Sequence, residues 1–321
     1  MKRKRRIWRY FFLILLVPFG CLLALQYAQA GINAQVLNSF FNEIQEWQKK
    51  GYELDKVVIT DLKSKECIIA TFSFTEYWIN GILKIYEIKE DEIVPFFEKK
   101  FDDRLVDLEV RDINGDWGNE IIVEWSTGGN SWIVNGIAIF EMRDGCIIPV
   151  KVIPPIISRL INHDDFEIHW SKGLIPTAYL ADLDGDRVCE LLVLDTTFEN
   201  FYGEPVAWKV FSWRNGSYQE DCSSFPFYYE KKIDELKKEL TLEPPSPSSS
   251  GEYSLRKPIS LYLNYYYKGE AEKGFRELAK LILNEEFMAS WEAERKRWKS
   301  LSFSLKSLSD IVESLLSKYP L

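Results

Sequence analysis

The sequence lacks the short motifs that mark common catalytic sites. It contains no GxSxG nucleophile elbow, no Walker phosphate loop, no HExxH zinc helix and no GxGxxG dinucleotide fingerprint. Histidine is scarce, with only His163 and His169 in 321 residues. Their separation of six residues fits neither one helix face nor the usual zinc spacings, so a polar loop is favoured over a transition-metal site.

Positive charge is also in deficit. The chain has 40 Lys and Arg against 49 Asp and Glu, for a formal net charge of −9. Removal of residues 1–30 would take away six basic residues and no acidic ones, which lowers the net charge to −15. Such a surface repels phosphate backbones and attracts cations, so we expect no nucleic-acid partner.

Long apolar runs are absent except near the N-terminus. Six basic residues precede the apolar stretch 11–25, and Ala28-Gln29-Ala30 follows it as a small-x-small cleavage pattern. This order predicts a secretory signal peptide over 1–30 and an extracytoplasmic protein, periplasmic or secreted. The alternative is that residues 11–25 stay uncleaved as a membrane anchor, although the stretch is short for a spanning helix.

The cysteine pattern excludes a CxxC redox or zinc motif. Four cysteines follow the predicted signal peptide, at Cys67, Cys146, Cys189 and Cys222. In an exported chain an even number permits two disulfides, with three possible connectivities. The alternative is four separate thiols packed as small apolar side chains.

Self-similarity organises the middle of the chain. The segments 84–93, 138–147 and 209–218 align, with turn pairs Glu90-Asp91, Asp144-Gly145 and Asn215-Gly216 at the same offset. Asp-Gly and Asn-Gly are strong hairpin signals because both positions tolerate positive φ. Upstream, Glu66, Glu120 and Glu190 are separated by 54 and 70 residues, and the aromatic residues Tyr86, Phe140 and Phe211 by 54 and 71. The agreement predicts a threefold repeat.

Each repeat contains the pattern of four short strands. The first strands are predicted at 57–60, 106–110 and 177–180, followed by an acidic loop, a second strand and the hairpin. The prediction is a mainly β fold with helical flanks, with propeller-blade-like antiparallel units at about 52–100, 101–155 and 174–228. Three blades are too few for a closed ring, so we expect helices or another chain to cover the sheet edges.

The flanks are predicted to be helical. Residues 31–51 contain one helix, 229–252 a charged helix and a Pro/Ser linker, and 253–321 an α-helical C-terminal region. A break near Gly269 separates two helices in that region, and its stripe of tyrosines is interpreted as core.

Two repeats carry an acidic loop with calcium-ligand spacing. Oxygen side chains occupy positions 1, 3, 5 and 9, and a backbone carbonyl at position 7 completes each predicted ligand set, at Asp112, Asn114, Asp116, Gly118 and Glu120 and at Asp182, Asp184, Asp186, Val188 and Glu190. Calcium takes six to eight oxygen ligands. With one ion in each loop, up to two ions are predicted. The alternative is an acidic turn in which Asp and Asn bond their own backbone.

These loops resemble the DxDGDGxxD loops of integrin-type FG-GAP and VCBS repeats, over roughly 52–225. The resemblance implies propeller blades made rigid by calcium and proteins that mostly bind other proteins or glycans outside the cell. The chain departs from the pattern at position 6, where Trp117 and Arg187 replace glycine, and Arg187 is able to pair with a carboxylate in the metal's place. The first repeat has lysines at 63 and 65, so no metal is expected there.

The sequence therefore predicts an exported, non-catalytic binding or assembly protein with a protein or glycan partner. One alternative is an extracytoplasmic hydrolase of a polymer such as a glycan, since 49 acidic residues permit a catalytic carboxylate pair. A second alternative is a scaffold tethered to the membrane through residues 11–25.

Overall fold

The protein is mainly β, with three sheets and six α-helices in the part of the chain that the structure describes. The computed structural model describes residues 33–74, 80–126, 135–153, 174–176, 178–195, 207–245, 255–299, 308–318 and 320. The predicted signal peptide, both histidines and most of the Pro/Ser linker lie outside these ranges.

The first sheet is an antiparallel meander of four strands in the order β1-β2-β3-β4. Its strands are β1 (Tyr52–Leu62), β2 (Lys65–Phe74), β3 (Gly81–Lys89) and β4 (Glu92–Lys100). Helix α1 (Ala34–Lys49) packs on this sheet through one apolar stripe, Val36, Phe40, Ile44 and Trp47. The helix begins at the side chain of Asn33, which caps it by accepting a hydrogen bond from the backbone N–H of Gln35.

The second and third sheets have five strands each. The second has the order β10-β7-β6-β5, with β8 also paired to β7; the third has the order β11-β12-β13-β14-β9. The strands are β5 (Arg104–Arg111), β6 (Glu120–Ser126), β7 (Asn135–Arg143), β8 (Cys146–Pro149), β9 (Lys151–Ile153), β10 (Leu174–Pro176), β11 (Ala178–Ala181), β12 (Glu190–Leu194), β13 (Trp208–Arg214) and β14 (Ser217–Glu220).

The hairpin turns are confirmed. All three predicted turn pairs have positive φ at both residues, +46° and +70° at Glu90-Asp91, +51° and +77° at Asp144-Gly145, and +52° and +76° at Asn215-Gly216. Lys63 and Ser64 form a further two-residue turn of this kind, with φ of +44° and +74°, between β1 and β2. Positive φ at both central residues matches the right-handed twist of the flanking strands.

The structure differs from the predicted repeat boundaries at the junction of the second and third repeats. Residues 151–153 lie in the predicted second repeat, but β9 pairs in parallel with β14 of the third sheet. Residues 174–176 lie in the predicted third repeat, but β10 pairs with β7 of the second sheet. Both short strands cover edges that would otherwise expose unpaired backbone N–H and C=O groups.

The first strands of two of the predicted repeats share a β-bulge at an equivalent position. The register of β1 shifts between Leu54 and Lys56, and that of β5 shifts between Leu105 and Asp107. Each bulge therefore lies six residues before the first position of the following loop, at Asp61 or Asp112. Pro176, where β10 ends, has the same offset from Asp182.

Five helices follow the third sheet: α2 (Pro226–Leu242), α3 (Arg256–Tyr267), α4 (Ala271–Ile282), α5 (Glu285–Lys299) and α6 (Leu308–Lys318). They share one core with Leu192 and Val210 of the sheet, and Tyr262 and Tyr267 lie inside it. The tyrosine stripe is thus core, as predicted, and Gly269 with φ of +85° breaks α3 from α4. None of the described helices is long and apolar enough to cross a bilayer.

The chain divides into two compact units. The first contains α1, the first sheet and most of the second sheet. The other contains residues 113–116 and 135–139, the third sheet and the C-terminal helices.

None of the four cysteines in the described part of the chain forms a disulfide. Cys67, Cys189 and Cys222 are buried and Cys146 is exposed. Burial raises the pKa of the Cys67 and Cys222 thiols to about 11, which keeps them protonated and unreactive at neutral pH. The alternative of separate thiols is therefore the observed arrangement.

Substitution Gly274→Ala tests the close approach of α3 and α4. The added Cβ would lie 2.5 Å from Cβ of Tyr265 and 3.2 Å from the carbonyl oxygen of Tyr262. We expect the free energy of unfolding to fall by about 1–3 kcal/mol in urea denaturation, although alanine in a helix interior is ordinarily better than glycine by about 1 kcal/mol. Glu272→Ala, an exposed change in the same helix, should alter it by less than about 0.5 kcal/mol. Equal or greater stability of Gly274→Ala would contradict the close contact.

Candidate metal site in an acidic loop

The two acidic loops have the same backbone geometry. Position 4 is left-handed in both, with φ of +74° at Gly115 and +82° at Gly185. Position 6 is left-handed as well, with φ of +65° at Trp117 and +75° at Arg187. A glycine at position 6 would adopt this conformation freely. For a residue with a side chain, the left-handed conformation costs about 1–2 kcal/mol. Both loops therefore have, at position 6, a backbone conformation that favours glycine, although Trp117 and Arg187 occupy that position.

The side chains of the 182–190 loop tie its backbone together. Asp182 accepts hydrogen bonds from the backbone N–H of Gly185 at 2.7 Å and of Arg187 at 3.2 Å. Asp186 accepts one from Val188 at 2.7 Å. In the other loop, Asp112 accepts from Trp117 at 3.0 Å and Asn114 from Asp116 at 2.9 Å, so the two loops share the contact between positions 1 and 6. These are the bonds expected of an acidic turn.

Three carboxylates of the 182–190 loop also converge. Oxygen atoms of Asp182, Asp184 and Glu190 all lie within 4.8 Å of one another. Asp182 and Asp184 are exposed, whereas Glu190 is buried at the start of β12 and accepts a hydrogen bond from the backbone N–H of Leu183 at 2.8 Å. Each carboxylate oxygen has two lone pairs, so these backbone bonds leave coordination sites for a cation.

The electrostatics of the cluster favour positive charge. Burial, together with the negative charges of Asp184 and Asp186, raises the pKa of Glu190 from 4.5 to about 7. The raised pKa means that ionising Glu190 in the folded protein is costly, because the charge is desolvated and faces like charges. A hard divalent cation would offset that repulsion, and the oxygen-only donor set is the one that calcium prefers. The carboxylates of Asp182, Asp184 and Glu190 therefore fit the predicted calcium ion.

The other predicted ligands are placed differently. Asp186 is exposed and outside the converging group, and Val188 donates its amide to Asp186. Among the described residues, the carboxylates of Asp112, Asp116 and Glu120 form no comparable group. Arg187 pairs with none of the described carboxylates, so it does not take the place of a metal in this structure.

Position 8 of each loop makes a contact that sequence reasoning missed. The side-chain amide of Asn119 donates to Thr60 Oγ1 and to the carbonyl of Asp61, both at 3.2 Å. The backbone N–H of Cys189 donates to the carbonyl of Ile113 at 2.8 Å. Each loop therefore bonds the start of the preceding turn or loop. The only sequence signal for these contacts is the shared position in the alignment, because Asn119 donates through its side chain and Cys189 through its backbone.

A catalytic carboxylate pair has little support in the helical region. An open groove of about 550 Å³ along α2 is lined by one helix face, Phe227, Glu230, Lys231, Asp234, Glu235 and Lys238. Hydrogen bonding from Lys232 lowers the pKa of Glu235, whereas a general acid needs a raised pKa.

Substitution Glu190→Gln tests the buried charge. The folded pKa of about 7 exceeds the unfolded value of 4.5, so the ionised carboxylate destabilises the protein increasingly as pH rises between these values. In EDTA at pH 8, Glu190→Gln should be more stable than wild type by up to about 3 kcal/mol, and most of that gain should be absent at pH 5. Urea denaturation at both pH values measures it, and Glu92→Gln, on an exposed strand end, is the matched control. A gain that is independent of pH would contradict the assignment.

Comparison with known proteins leaves the site without a family. No family model, no curated protein and no solved structure matches the chain. The resemblance to FG-GAP and VCBS repeats therefore depends on the loop motifs and their spacing alone.

Proposed function

We propose that the protein is an exported, non-catalytic binding or assembly protein whose β repeats are stabilised by calcium. The observation that carries the proposal is the convergence of Asp182, Asp184 and Glu190, with one carboxylate buried at a strand start. The export step is inferred from residues 1–30, and the partner is a protein or glycan outside the cytoplasm.

Calcium at this loop would join two parts of the third sheet. Asp182 directly follows β11, and Glu190 begins β12. A cation bound by both would hold the two strand ends together and remove the repulsion that raises the pKa of Glu190. Its role would be structural, because all three carboxylates belong to one loop that is tied to its own backbone.

The repeat architecture is part of the same proposal. It is supported by the shared bulges before Asp61 and Asp112, by the left-handed residues at positions 4 and 6, and by the contacts made from position 8. We propose that the three sheets are blade-like units of one repeat and that the loop 112–120 is a second, weaker cation site. The metal there would have to bring Asp112, Asp116 and Glu120 together.

Calcium titration of the purified full-length chain tests the site. For a Kd of about 10⁻⁴–10⁻³ M, typical of extracellular modules, 10 mM calcium should raise the free energy of unfolding by about 1.4–2.7 kcal/mol. Asp184→Asn should abolish most of this calcium-dependent stabilisation because it removes one converging carboxylate. Asp116→Asn, the matched change at position 5 of the other loop, should leave most of it.

Calorimetry and thermal unfolding with calcium, with magnesium and with EDTA give the measurement. A response kept in Asp184→Asn and lost in Asp116→Asn would place the ion in the loop 112–120 and contradict a site at 182–190. No heat and no change in melting temperature at 10 mM calcium would refute calcium binding.

A further inference from the structure

Trp117 has the most exposed large apolar side chain of the described residues. It is 88% exposed and lies at position 6 of the loop 112–120, where φ is +65°. Among the described residues its indole contacts no other ring and no cation. The loop around it bears no basic residue and three acidic ones, of which Asp112 and Asp116 reach the surface and Glu120 is buried.

The placement of Trp117 is unfavourable for folding in two ways. A bulky L-residue in the left-handed region is strained, and glycine would relieve the strain. An exposed indole also leaves a large apolar surface in water. The hydrogen bond that Trp117 makes within the loop comes from its backbone N–H to Asp112, and glycine would donate it equally well. The loop therefore gains nothing from the indole itself.

Arg187 provides the internal comparison. It occupies the same position of the third repeat with φ of +75°, so it carries the same backbone strain. Its exposed side chain ends in a charged guanidinium, a group that is ordinarily found at protein surfaces. In the part of the chain that the structure describes, strain coincides with an exposed apolar side chain only at Trp117, which points to a use outside the folding of the loop.

We propose that Trp117 is the anchor of a protein interface and that its indole inserts into an apolar pocket of the partner rimmed by Lys or Arg. This inference rests on the proposed binding function and names its surface. An exposure of 88% means that both ring faces are open, so only a concave surface can bury the ring. A sugar would cover one face, and the acidic loop repels the phosphates of an anionic membrane. Asp116, which is exposed, and Asp112, which is half-buried, attract a basic pocket rim when the loop holds no cation.

Tryptophan is enriched among the residues that contribute most to protein interfaces. Truncation of such an anchor weakens binding by about 30-fold or more. The acidic surroundings should also make the affinity fall as salt concentration rises.

The experiment compares wild type with Trp117→Gly and Arg187→Gly. Each substitution relieves the same left-handed strain, so both should raise the melting temperature by about 2–4 °C. Such a rise would show that neither substitution prevents folding. The three full-length proteins are immobilised and exposed to an extracytoplasmic extract of cells that produce the chain. Each protein retained by wild type is identified and purified, and its Kd for all three is measured by calorimetry.

The expected result is a partner with a basic surface that binds wild type and Arg187→Gly equally and Trp117→Gly about 30-fold or more weakly. Equal affinity for all three proteins would overturn the anchor but leave the proposed binding function intact. If wild type retains no protein, both the anchor and a protein partner are refuted. Binding that depends on Trp117 but is found only on a glycan array, or on phosphatidylcholine–phosphatidylserine vesicles, would also overturn the proposal.

Discussion

Burial of the central strands on both faces is the constraint from which the architecture follows. In β2, β6 and β12 nearly every consecutive residue is buried, so these strands do not alternate between core and solvent. A sheet with such strands cannot leave one face in water. Helix α1 covers a face of the first sheet, and the C-terminal helices share a core with the third. The flanking helices are therefore integral parts of the fold, and the short strands β9 and β10 protect sheet edges in the same way.

The same burial creates the chemistry of the acidic loop. Glu190 is drawn into the protein because it is the first residue of a fully buried strand, while Asp182 and Asp184 stay at the surface. The carboxylate loses hydration and meets like charges, and its pKa rises to about 7. A cation would relieve both penalties. A loop that needs no metal for its hydrogen bonds thus still has a physical reason to bind one.

Local features were predictable from the sequence. The hairpin turns follow from the ability of Asp, Asn and Gly to adopt positive φ, and α1 and α3 follow from apolar spacing and from Gly269. The predicted helical region 253–321 includes α5, but no separate helix was predicted there, because its buried anchors Phe287 and Trp291 are too few to give a clear apolar stripe. The exchange of β9 and β10 between sheets was also missed. Strand partners that are distant in sequence are decided by tertiary packing, and a three-residue strand carries almost no pattern of its own.

By itself, the sequence determined where the chain turns and which oxygen ligands the two loops offer, because turn preference and ligand chemistry are properties of neighbouring residues. Only the tertiary structure decided that Asp182, Asp184 and Glu190 meet while the carboxylates at 112, 116 and 120 form no such group. It also decided that position 6 is left-handed at Trp117 and Arg187, against the preference of both residues. Side-chain approach and pKa depend on burial and on the packing of neighbouring strands, and neither is encoded in a nine-residue loop.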